Sequence, residues 1–101
     1  MTQVTVGNVV IGNDRPLTVI AGPCQLESRQ HALEMANALK EIGERLNVGI
    51  IYKTSFDKAN RSSVHSPRGP GIDEGLRELE TIRTAIGAPV VTDIHEPAQA
   101  A

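Results

Sequence analysis

The chain has 101 residues, 40% hydrophobic and 22% charged, with a formal net charge of -2, which is the composition of at most one soluble globular domain. This mild acidity argues against a nucleic-acid or membrane surface as partner, and Tyr52 and Phe56, the only aromatics, are too few to stack single-stranded bases. A lone cysteine, Cys24, excludes an internal disulfide and fits a reducing cytoplasm, while no secretion signal and no membrane-length apolar run is found.

The N-terminus reads as a small hairpin over residues 4–11, because Val4-Thr5-Val6 and Val9-Val10-Ile11 flank a Gly7-Asn8 turn. Leu17 to Ala21 is a continuous apolar strand closed by Gly22-Pro23. Ser28 is placed to cap a helix with an apolar stripe of Ala32, Met35, Ala36, Leu39, Ile42 and Leu46, close to a period of 3.6. Asn47 and Gly49 punctuate its end, and Ile50 to Lys53 follows as a second buried strand. Asp73 is expected to cap a second helix carrying Leu76, Leu79, Ile82 and Ile86, with Gly87 at its end and Pro89 just beyond. Val90 to Ile94 reads as a third strand. Near-continuous apolar strands alternating with helices predict parallel strands covered by helices, an α/β unit.

Polar residues gather where each strand ends. Cys24 follows the first, residues 53–71 follow the second, and Asp93, His95 and Glu96 close the third. Ligands in barrels and open α/β sheets sit at these C-terminal ends. Within residues 53–71, Lys53, Lys58, Arg61 and Arg68 stand against a single acid, Asp57, a local charge of +3. Cations with hydroxyl, amide and glycine groups are what a phosphate-bearing substrate needs. A connection this long without structure of its own is rarely a mere linker.

Singly, these residues weigh less. One thiol cannot make a metal site, which takes three or four ligands. Lys58 and Arg61 read alone are solvated cations. Lys53 differs, because a charge closing an apolar strand is costly unless paired. Asp93 and His95 share a strand face by period two, most often a hydrogen-bonded polar pair. His31 falls on the first helical turn, at the surface, and His65 carries no assignment.

Taken together, Ala21-Gly22-Pro23-Cys24 with Glu27-Ser28, the run from Tyr52 to Ser63, Arg68-Gly69-Pro70-Gly71 and Asp93-Ile94-His95-Glu96-Pro97 closely resemble the 3-deoxy-D-manno-octulosonate 8-phosphate synthases. The run Lys58-Ala59-Asn60-Arg61-Ser62-Ser63 is the most specific part; the related heptulosonate synthases typically carry Lys-Pro-Arg-Thr-Ser there. The resemblance implies a transferase that condenses phosphoenolpyruvate with arabinose 5-phosphate and releases phosphate, in lipopolysaccharide biosynthesis. It further implies a cytoplasmic homotetramer of (β/α)8 barrels. On this resemblance Lys53 and Lys58 face phosphoenolpyruvate, and Asn60, Arg61 and Ser62 hold the sugar phosphate. Lys58 and Asp93 act in catalysis, and Cys24 marks the metal-dependent branch, as a ligand of a divalent transition metal. Two alternatives stand beside it: a related phosphoenolpyruvate-dependent synthase using another sugar phosphate, and a non-catalytic phosphate-binding fragment. A barrel of this kind takes about 250 residues. The expectation is therefore that residues 1–101 form the first β/α units of a longer barrel and, alone, would associate and lack activity.

Overall fold

A computed structural model describes residues 2–56 and 72–100. The hairpin forms as predicted: β1 (Val4–Val6) pairs antiparallel with β2 (Val9–Ile11), and Gly7 takes the left-handed conformation at φ 56° that a tight hairpin turn demands. The second sheet holds β3 (Thr18–Ala21), β4 (Gly49–Lys53) and β5 (Val90–Val91) in the order β3-β4-β5, all parallel. α1 (Arg29–Leu46) links β3 to β4, and α2 (Ile72–Ile86) precedes β5. The chain is mixed α/β, as read from the alternation of patterns.

Local chemistry explains both ends of α1. Ser28 is extended, and its hydroxyl accepts from the His31 backbone N–H at 3.1 Å, satisfying one of the helix's unpaired donors. Asn47 closes the helix in the left-handed conformation. The stripe of α1 is narrower than its period suggests: Ala32 and Ala36 are buried, whereas Met35, Ile42 and Leu46 are exposed. In α2, Leu79, Ile82 and Ile86 face the core and Leu76 does not. Asp73 lies within the first turn of α2 beside Glu74, where acids complement the positive end of the helix.

The core sits between the helices and one face of the sheet, around Leu26, Ala32, Ala36, Tyr52, Ile82 and Ile86. Burying a side chain such as Ile82 contributes about 1.5–3 kcal/mol. The Tyr52 hydroxyl donates to the Ala32 carbonyl at 3.4 Å, tying β4 to α1, and burial pushes its pKa up. Arg29 at the start of α1 donates to Glu78 of α2 at 3.3 Å. Glu78 is largely buried, so this guanidinium supplies the partner its charge requires.

The hairpin covers the end of the sheet where strands begin. Val9 packs on Gly49, the first residue of β4, and Gly7 faces Pro89, just before β5. Asn8 donates to the Gly87 carbonyl at 3.0 Å, capping the end of α2. One end of the sheet is thereby closed. The polar residues lie at the other.

Candidate active site

Strand register decides which side chains share a surface. Ala21 pairs with Tyr52, and Tyr52 with Val90, so these residues point to the helix side. Neighbours one residue away point to the opposite face. That face therefore carries Ile20, Ile51, Lys53 and Val91, and the alternation continues through Ser55 and Asp93 beyond the strand ends.

The chain past β3 hugs the exit of β4. Gln25 forms a parallel bridge with Ser55, and the Leu26 N–H donates to the Ser55 carbonyl at 2.7 Å. Gly22 makes this approach possible, since a Cβ there would overlap the Lys53 carbonyl oxygen. On the far side, the Thr54 N–H donates to the Val91 carbonyl at 3.3 Å. Ser55 is thus held between two neighbouring segments.

From this frame the polar side chains converge. The Ser55 hydroxyl donates to Asp93 Oδ1 at 2.6 Å, within the range of a charge-assisted bond. Lys53 Nζ donates to the same hydroxyl oxygen at 3.4 Å. His95 Nε2 lies 3.7 Å from Asp93 Oδ2, and the His95 ring tilts against Phe56 with centroids 5.8 Å apart. Gln99, in a 3-10 turn at Pro97–Ala100, accepts from the backbone N–H groups of both His95 (2.8 Å) and Glu96 (3.1 Å), fixing the loop that bears Asp93.

Partial burial pushes the Asp93 carboxyl upward. The Ser55 hydroxyl, the aspartate's own backbone N–H, the Lys53 ammonium and the His95 ring outweigh it and hold Asp93 below its usual range. Asp93 is accordingly an anion at neutral pH beside a cation. Such a site can bind a second anion through Lys53 while keeping a carboxylate beside it.

Of the residues singled out from the sequence, Lys53 ends β4, Asp93 lies two residues past β5, and Cys24 is exposed on the segment between Gly22 and Gln25. Lys53 and Asp93 are brought together through Ser55. Lys58, Asn60, Arg61 and Ser62, with His65 and Arg68 to Gly71, lie outside the described residues. Among the described residues no three His, Cys, Asp or Glu side chains gather closely enough to hold an ion. Sequence reasoning passed over Ser55, although the two-residue spacing from Lys53 already placed both on one face. Gln99 carried no comparable signal, since its role is visible only once the 3-10 turn forms.

Residues 1–101 match the DAHP synthetase I family. The chain belongs to this family. It is 60% identical over 98 residues to the 2-dehydro-3-deoxyphosphooctonate aldolase of Bradyrhizobium diazoefficiens, with 97% of this chain and 35% of that protein covered. The protein of the same name from Nitrobacter winogradskyi is 59% identical over 97% of this chain and 34% of its own length. That of Rhodopseudomonas palustris strain TIE-1 is 61% identical over 99% of this chain and 35% of its own length. The chain thus spans about a third of the length of the curated relatives it matches. No helix among the described residues is long and apolar enough to cross a membrane.

Proposed function

We propose that this chain contributes part of the active site of an enzyme condensing phosphoenolpyruvate with arabinose 5-phosphate to 3-deoxy-D-manno-octulosonate 8-phosphate and phosphate. The observation carrying this reading is the Lys53–Ser55–Asp93 cluster at the C-terminal edge of a parallel sheet, in a chain whose sequence continues from there into the basic run that begins at Lys58. Relatives about 60% identical bear the name 2-dehydro-3-deoxyphosphooctonate aldolase, and this supports a phosphorylated eight-carbon deoxy sugar acid as product. The parallel β/α units are read as the opening of a (β/α)8 barrel. The complete enzyme is read as a cytoplasmic homotetramer acting in lipopolysaccharide biosynthesis.

In the reaction the methylene carbon of phosphoenolpyruvate bonds to the aldehyde carbon, and the aldehyde oxygen takes up a proton. Water adds at the phosphate-bearing carbon, and inorganic phosphate leaves. Lys53 and Lys58 neutralise the carboxylate and phosphate of phosphoenolpyruvate. Lys58, closer to the developing charge, stabilises the transition state more than the bound substrate. Asn60, Arg61 and Ser62 hold the sugar phosphate. Asp93, ionised beside the reacting carbons, accepts a proton from the attacking water. In the enzyme as the cell makes it, Arg61→Ala should raise the KM for arabinose 5-phosphate roughly ten- to hundredfold, as expected when a charge-assisted bond worth about 1.5–3 kcal/mol is lost. The KM for phosphoenolpyruvate should move little. Equal effects on both substrates would remove the assignment, and turnover with erythrose 4-phosphate in place of arabinose 5-phosphate would favour a related synthase.

Cys24 is read as one ligand of a divalent transition metal, since a thiolate is a soft donor suited to such an ion. When bound, the metal would supply Lewis acidity near the substrates. Chelation of the enzyme should abolish activity and added metal restore it. Cys24→Ala should bind metal more weakly in direct titration. Full activity after chelation would make Cys24 structural.

A further inference from the structure

We propose that Ser55 is a positioning residue that keeps the Lys53 ammonium and the Asp93 carboxylate from closing on each other, so that both charges remain available to a bound anionic substrate. Lys53 and Asp93 occupy one face at the ends of adjacent strands, yet they form no direct ion pair. The hydroxyl of Ser55 lies between them. Its single proton goes to Asp93 at 2.6 Å, which leaves its oxygen lone pairs to receive Lys53 at 3.4 Å. Among the described residues this is the one hydrogen bond of the Lys53 ammonium, and an ammonium has three protons to donate.

Ser55 is well suited to act as a fixed spacer. It is 6% exposed, its carbonyl accepts from Leu26, and its backbone bridges Gln25. The hydroxyl is therefore carried by backbone tied to a neighbouring segment. Lys53 by contrast ends in a flexible four-carbon stem. Without the hydroxyl, the ammonium loses its one hydrogen-bond partner among the described residues, beside a carboxylate that already attracts it. A direct pair in this partly buried corner would neutralise the cation that is to meet the substrate.

The proposal rests on the reading that phosphoenolpyruvate binds at Lys53, and its test separates the two. In the complete enzyme, binding of phosphoenolpyruvate is measured by equilibrium titration, without turnover, for Ser55→Ala, Asp93→Asn and the double variant. Ser55→Ala should weaken binding about tenfold, and Ser55→Thr, which retains the hydroxyl, should recover most of it. In the Asp93→Asn background, Ser55→Ala should change affinity less than twofold, because no carboxylate charge remains to capture Lys53. The same tenfold loss in both backgrounds, or no loss in either, would overturn the proposal. A crystal structure of Ser55→Ala provides a readout independent of any ligand. A Lys53–Asp93 ion pair there supports the spacer role, and an ammonium still apart from the carboxylate overturns it. If the unaltered enzyme binds no phosphoenolpyruvate, the functional reading fails, and the crystal structure alone decides the role of Ser55.

Discussion

Asp93→Asn in the complete enzyme should lower turnover by about 10²–10⁴-fold, the usual contribution of a positioned proton acceptor. Binding of phosphoenolpyruvate should be unchanged or tighter. The asparagine still accepts the Ser55 hydroxyl proton at its carbonyl oxygen, but a negative charge beside an anion site has gone. Turnover and affinity thus move apart, which a general loss of structure would not produce. The same variant should alter stability against pH. Because Asp93 is held below its usual range when folded, its contribution is fully present above the ordinary carboxylate value and disappears as pH falls through the folded value. Asp93→Asn should flatten that part of the acid-unfolding curve. A variant with undiminished turnover would exclude Asp93 from the chemistry, and an unchanged acid limb would deny it the folded-state partners described above.

Gly22→Ala is expected to be the most damaging conservative change in the described part of the chain. The added Cβ would overlap the Lys53 carbonyl oxygen, which belongs to the backbone of a central strand and cannot turn aside as a side-chain tip can. Relief requires the segment after β3 to move away from β4. That movement loosens the Leu26–Ser55 hydrogen bond and the Gln25–Ser55 bridge. Overpacking typically costs about 1–3 kcal/mol, and a clash with backbone belongs at the upper end. Denaturant unfolding should register the loss, and the affinity for phosphoenolpyruvate should fall with it because Lys53 and Ser55 are displaced. Gly75→Ala offers a contrast: its Cβ would meet Phe56 Cβ at 2.6 Å, and a small shift of α2 can relieve side-chain crowding. If Gly22→Ala unfolds like the unaltered protein and binds substrate equally well, the close approach at Gly22 does not hold the site together.

The order of elements was legible in the sequence because each signal is local. Turn chemistry at Gly7-Asn8, the Ser28 cap, the left-handed Asn47 and the break at Gly87 all act within a few residues. Apolar runs closed by polar residues also placed Lys53 and Asp93 at the ends of parallel strands. Where local patterns overreached, packing had the final word. The third strand stops at Val91 short of Ile94, because ladder pairing with β4 covers only Val90 and Val91. Leu46 and Leu76 fit helical stripes by period yet remain exposed, since a helix buries only what a neighbouring element meets.

What the sequence by itself determined is therefore the alternation of strands and helices, the parallel arrangement that follows from it, and the edge where polar chemistry collects. Tertiary structure alone decided which of those polar groups meet. Ser55 reaches Asp93 across 38 residues of chain, Arg29 reaches Glu78 across 49, and Gly22 lies against Lys53 through strand pairing. Periodicity and capping are set by neighbours in the chain, whereas these contacts depend on register and on the distance between packed segments. That distance is fixed only when the whole core closes.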